Sequence, residues 1–347
     1  MSRSIASIVA IIGVLISTAA GSSAQGAKVG AQTGTSDWNQ VIAAAKKEGA
    51  VTMYCNPGTE AALEAAATAF EKLYGIKVTL AYADGATNAQ KVLIEAQTGH
   101  VLGDVYFAGL GPVNTLAKAG YAVALDPPNQ ANIVSTFDVL KGATPLFVNV
   151  YGILVNTTKL GNVPMPKSWA DLLNPGLAGK MVMQDPRVDG GGGTFFVSTY
   201  DKLGQSFEQT LAAQHPLING AGGGSAAEEA VARGDYTIMI AGRAHAIEVY
   251  PQAPLRWIGP AEGSVVVPIA MTMVRGAAHP NAARLWANYL LRPDVQTNLS
   301  STVMPVIKNP TIKNPLFRLK LKFLEVLPPS QDRAKYYADA KQLYGAQ

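Results

Sequence analysis

Hydrophobic positions in the first third of the chain alternate between two spacings. Trp38, Val41, Ile42 and Ala45 recur at helical spacing, with Asp37 opening the segment and Gly49 stopping it. Residues 51–55 then form a short apolar run that predicts a strand. Asn56 is suited to cap the next helix and Pro57 to begin it. Leu63, Ala66, Ala67, Phe70 and Leu73 make its apolar face, and Gly75 closes it. The rhythm repeats with a strand over 76–80 and a helix to about Thr98, where Thr87 and Gln90 fit a capping box. A third strand over 104–108 leads through Gly109-Leu110-Gly111-Pro112 into a helix ending at Gly120. Such alternation predicts parallel strands with right-handed crossovers, whose carboxyl ends share one rim. Residues 56–59, 85–88 and 109–112 are therefore expected along that rim.

The second half is organised differently. Residues 148–156 form a long β-prone run with Gly152 inside it, where a glycine lets a strand bend between lobes. Residues 164–173 read as a loop and short helix, and 181–183 as a strand. A glycine cluster at 220–224 meets Ser225-Ala226-Ala227-Glu228, which fits a capping box, and that helix ends at Gly234. A strand over 236–241 leads into Gly242-Arg243-Ala244-His245. A β-prone run over 264–274, broken at Pro268, returns the chain to the first half. Pro280 starts a helix with Leu285, Trp286, Tyr289 and Leu290 on one side, and the tail from Lys308 is expected to pack on the outside.

The densest candidate chemistry is Asp185-Pro186-Arg187-Val188-Asp189 followed by Gly190, Gly191, Gly192, Gly193 and Thr194. Glycines let backbone N–H groups converge, a helix start adds partial positive charge, and Arg187 offers a fork of donors for a carboxylate or phosphate. Arg243 has a similar setting at the end of a later strand. Two arginines facing one cleft would attract anions and repel free cations. His245, taken alone, reads as a structural histidine.

Composition narrows the classes. Two lobes suit 347 residues, and 48% apolar with 15% charged residues describes a globular chain. The net charge of +4 is spread without a basic block, so nucleic-acid binding is not expected. Arg3, the apolar stretch from Ile5 to Leu15 and small residues ending at Ala24 predict an export signal (1–24) cleaved near Ala24, followed by a flexible leader over 25–36. The lone Cys55 excludes a disulfide within one chain. No metalloprotease, nucleophile-elbow or phosphate-loop motif occurs, and His100, His215, His245 and His279 lack metal-ligand spacing, so neither turnover nor a cofactor is expected.

A series of short motifs begins with Ala45-Lys46-Lys47-Glu48-Gly49, Phe70-Glu71-Lys72, Tyr74-Gly75-Ile76-Lys77-Val78, Asp104-Val105 and Asn156. Ser168-Trp169-Ala170-Asp171-Leu172-Leu173, Gly179-Lys180 and His279-Pro280-Asn281-Ala282-Ala283 continue it over about 37–310. Their succession resembles the bacterial periplasmic solute-binding proteins of ABC importers, in the branch that takes ferric iron and small organic anions. The resemblance implies an α/β fold of the type II periplasmic-binding-protein kind, with two lobes of mixed, mainly parallel sheets joined by two crossing strands. Lobe 1 would comprise 37–149 and 265–310, lobe 2 would comprise 150–264, and a helical tail would cover 311–347. It also implies a periplasmic monomer serving a membrane permease and ATPase. Ferric-binding members carry adjacent tyrosines just after the strand placed here at 236–241, where this chain has Ala244-His245. The expected ligand is accordingly a small anion. Iron with a synergistic anion, or an enzyme on the same fold, are the alternatives. The expected contacts are Asn56, Thr59, Thr87, Gly109, Tyr151, Arg187, Gly193, Thr194, Ser225, Arg243 and His245.

Overall fold

A computed structural model describes residues 35–137, 140–219, 223–324 and 333–345. The export signal and residues 25–34 of the leader lie outside the described residues, as do residues 220–222 of the second glycine cluster.

The elements run α1 (Thr35–Glu48), β1 (Ala50–Cys55), α2 (Glu60–Tyr74), β2 (Lys77–Tyr82), α3 (Gly85–Thr98), β3 (Val105–Gly109), α4 (Leu110–Lys118) and β4 (Ala122–Val123). The long strand β5 (Thr144–Asn156) follows, then β6 (Met181–Gln184), α5 (Gly191–Leu203), α6 (Gln205–Ala212), β7 (Leu217–Asn219), α7 (Gly223–Arg233) and β8 (Ile238–Arg243). The chain continues through α8 (Ala246–Val249), β9 (Leu255–Ile258), β10 (Val265–Val274), α9 (Pro280–Leu290), α10 (Pro293–Leu299), β11 (Met304–Pro305) and α11 (Ala334–Tyr344).

The strands form one mixed sheet in the order β2-β1-β3-β10-β5-β8-β6-β7. Pairing is parallel within the flanks β2-β1-β3 and β8-β6-β7, and antiparallel through the two long central strands β10 and β5. This is the strand–helix alternation read from the hydrophobic pattern, with the two long apolar runs joining its halves.

Side chains alternate across a strand, so helices on both faces demand apolar residues at nearly every position. Val51, Met53, Val105 and Phe107 pack with Phe70 of α2 and Trp286 of α9, whereas Tyr54, Tyr106 and Ala108 pack with Val92 of α3 and Val113 of α4. In the other flank Met181, Met183, Ile238 and Ile240 meet Phe195 of α5 and Leu211 of α6, while Val182 and Met239 meet Val231 of α7.

Gly152 marks where β5 changes partners. Its register against β8 shifts between Gly152 and Leu154, and β9 joins from Ile153 onward. A Cβ at Gly152 would lie 2.3 Å from the Ile258 carbonyl oxygen and 2.5 Å from the Trp257 ring, so close approach requires the glycine.

Several local readings are corrected. Asn56 does not cap α2: Gly58, at φ +96°, prolongs the turn, and the helix starts at Glu60 behind Thr59. Thr87 is not the cap of α3 either; Asp84 is, accepting a bond from the Thr87 N–H. Ser225 lies inside α7, which is already helical at Gly223. Leu73 is exposed. The tail packs by one face of α11, which buries Ala340 and Tyr344 completely.

Candidate functional site

The carboxyl ends of the parallel strands meet in a cleft of about 380 Å³ between the flanks. Asn56 and Thr59 reach it from the β1–α2 turn, and Gly109 from the end of β3. Tyr151 comes from β5, Thr194 from the first turn of α5, Ser225 from α7, and Arg243 with His245 from the end of β8. The flanks approach closely here: a Cβ at Gly58 would lie 3.2 Å from Arg243 Nη1 and 3.3 Å from His245 Nε2.

Three expected contacts are not on the cleft wall. Arg187 is turned aside, with Nε and Nη2 donating to the Asp185 carboxylate at 2.8 and 2.9 Å and Nη1 donating to the Tyr344 carbonyl at 3.3 Å. Burial would raise the Asp185 carboxyl, but the Arg187 bonds outweigh it and hold the group below the ordinary carboxylate range. The Thr87 hydroxyl donates back to Asp84. Gly193 serves packing, since a Cβ there would stand 2.0 Å from the Val188 carbonyl oxygen and 3.0 Å from the Tyr337 ring.

Arg243 is the better-placed guanidinium, and it is firmly held. Nε and Nη2 donate to Glu228 at 2.8 and 2.6 Å, and Nη2 also donates to Ser225 Oγ at 2.8 Å. Burial opposes its charge, yet the facing Glu228 outweighs burial, so Arg243 stays protonated. Burial, and then the charge of Arg243, push His245 well below its ordinary value, so the imidazole is neutral. Its Nε2 is buried on the cleft wall with no hydrogen-bond partner among the described residues, and the same holds for Asn56 Oδ1 and Asn149 Oδ1. Burial pushes the Tyr151 hydroxyl up, which disfavours a phenolate.

The cleft is therefore not a bare basic bowl. Arg243 pairs with Glu228, Arg187 with Asp185 and Arg333 with Asp189, while Asp84 caps α3. Positive potential also comes from the backbone: α4 and α5 begin at the cleft behind Gly109 and Gly190, and neither has a side-chain cap. Gln184 wedges between two further glycines, its Nε2 lying 2.8 and 2.7 Å from where Gly191 and Gly224 would carry a Cβ.

Sequence reasoning missed Asn149, Gln184 and Arg333 as wall residues, and placed Asp189 in the densest candidate stretch without naming it as a contact. The alternation along β5 gives a signal for Asn149, two residues from Tyr151 and so on the same strand face. Nothing local marks Arg333, which arrives with the C-terminal helix. Among the described residues no group of three or more His, Cys, Asp or Glu is placed to hold a metal ion, and no helix is long and apolar enough to cross a membrane.

A family model described as bacterial extracellular solute-binding protein matches residues 112–321, more than half of the chain. An uncharacterised protein of Haemophilus influenzae is 27% identical over 271 residues, covering 74% of this chain and 77% of that protein. Among solved structures, the periplasmic binding protein AfuA from Actinobacillus pleuropneumoniae, with fructose 6-phosphate bound, matches with a TM-score of 0.67. It is 22% identical, over 85% of this chain and 96% of that one. The ferric binding protein from Campylobacter jejuni matches with a TM-score of 0.68 and 16% identity, over 85% and 98% of the two chains. These structural likenesses establish the fold, in agreement with the type II arrangement implied by the sequence resemblance.

Proposed function

Because this chain belongs to the bacterial extracellular solute-binding proteins, we propose that it captures a small anionic solute in the cleft and delivers it to a membrane permease and its ATPase. In this reading the protein is a periplasmic monomer, exported by its first 24 residues. Residues 37–149 with 265–310, and residues 150–264, act as lobes that close about β5 and β10. The segment from 311 to 347 serves as an appended tail.

The observation that carries the reading is a convergence of donors. The uncapped starts of α4 and α5 both line the cleft that Arg243, Ser225 and His245 border. Each helix end favours an anion by about 0.3–1 kcal/mol, and a buried charge-assisted bond adds about 1.5–3. A few such contacts, less the cost of closure, reach about the −8 kcal/mol of micromolar binding. Asn56 Oδ1 and Asn149 Oδ1 are acceptors, so the remainder of the solute would offer hydroxyl or amino hydrogens. Ferric iron is less well served: Tyr151 is the tyrosine on the described cleft wall, and its phenolate is disfavoured.

Calorimetry tests the reading with phosphate, glycerol 3-phosphate, fructose 6-phosphate and citrate, set against glycerol, fructose, thiamin and ferric ion. At least one anion is expected to bind well ahead of its neutral counterpart. Equal binding of neutral and anionic forms, or tight ferric binding without any anion, would sink it.

A further inference from the structure

The C-terminal helix is fastened along α5 and α6 by side chains spread over its length. Tyr336 donates to Asp201 at 2.6 Å, Tyr200 donates to Asp339 at 3.1 Å, and the Tyr344 hydroxyl reaches Glu208 at 3.3 Å. Arg187 completes the attachment through the Tyr344 carbonyl. This docking brings Arg333, the residue before α11, to the cleft wall, where its side chain is only 11% exposed. Its Nη1 lies 3.4 Å from Asp189 Oδ1 and 3.5 Å from Thr194 Oγ1, beside the open start of α5. Asp189 also accepts the Tyr337 hydroxyl at 2.6 Å. It stands against the opposite flank as well, since a Cβ at Gly111 would be 3.0 Å from Asp189 Cβ.

We propose that Arg333 is the specificity-determining cation of the cleft, meeting the anionic group of the solute at the start of α5, with Asp189 and Tyr337 as its positioning residues. The proposal rests on the anion-binding reading above. Arg333 enters where the helix-end potential and a full charge add, and where Thr194 can share the same oxygen atoms. When an anion takes the guanidinium, Asp189 retains its Tyr337 bond and is not left unsatisfied. The segment lies beyond residue 321, where the family match ends, so the charge that selects the solute is supplied from outside the matched region.

The experiment compares Arg333→Gln, Arg333→Lys and Tyr337→Phe in the full chain by calorimetry at several salt concentrations. The probe is whichever of phosphate, glycerol 3-phosphate, fructose 6-phosphate and citrate binds the unaltered protein most tightly. Arg333→Gln should weaken it about 10- to 100-fold and flatten the salt dependence of Kd. Arg333→Lys should keep most of the salt dependence, and Tyr337→Phe should cost a few-fold. Unchanged affinity and salt dependence in Arg333→Gln, while the unaltered protein binds the probe, overturns the role of Arg333 and leaves the anion reading standing. An equal loss in the Lys and Gln variants, with equal loss of thermal stability, makes the residue structural and overturns it too. Binding of none of the four anions to the unaltered protein removes the anion reading and this proposal together.

Discussion

The two strand ends carrying Arg187 and Arg243 look alike locally and behave oppositely. Each sits at or just beyond the end of an apolar strand of the same flank, with glycine nearby and a helix start a few residues on. Arg187 folds back on Asp185, two residues away, and braces the tail. Arg243 meets Glu228, a residue of α7 that is only 2% exposed, and so remains at the cleft. The difference is the position of the carboxylate. A nearby acid two residues away turns a guanidinium along its own loop, whereas an acid on a packed helix draws it inward. A glycine and an arginine near a strand end are thus a setting shared by a brace and a residue of the cleft wall.

The largest expected effect breaks the inward pair. Arg243→Ala or Glu228→Ala leaves one buried charge unopposed, and should cost about 3–5 kcal/mol in denaturant unfolding. Arg243→Met with Glu228→Leu should recover much of that stability while anion binding stays lost. Recovery of binding by the double variant would show that the pair serves packing alone. An effect of intermediate size tests the tail that Arg187 braces. Glu208 is completely buried, with Thr199 Oγ1 and the Tyr344 hydroxyl on its oxygens, and burial raises its pKa to about 8 against those bonds. The folded state then holds a proton that the unfolded chain releases near its ordinary value of 4.5. The contribution of Glu208 is complete below that pH and is lost as pH climbs through about 8. Between pH 5 and 8.5 the unfolding midpoint should fall with rising pH, and Glu208→Gln should remove about 2–5 °C of that fall. An identical slope in the variant would mean that the carboxyl is already ionised. The smallest effect belongs to Arg187→Ala. Its pair with Asp185 is partly exposed, so a loss below about 1 kcal/mol is expected, with anion affinity unchanged in calorimetry. A tenfold loss of affinity there would erase the contrast between the two arginines.

Much of the architecture was legible because its signals are short-range. The alternating apolar runs placed the strands and helices, and the glycine inside β5 marked the change of partners. Cap positions were less legible. Asn56, Thr87 and Ser225 each lie in a polar stretch offering several candidates, and the choice among them depended on the course of the turn, as at Gly58. The cleft wall was legible where strand ends supply it. Thr59, Gly109, Ser225, Arg243 and His245 reach the wall because parallel strands share one carboxyl edge.

From the linear chain one reads where backbone donors gather, because hydrophobic period, glycine placement and strand direction act over a few residues. Which guanidinium looks into the cleft is settled only when distant acids arrive beside it: Glu228 on α7 for Arg243, Asp189 and the docked α11 for Arg333. Charge pairing depends on separation in space, and separation along the sequence does not report it.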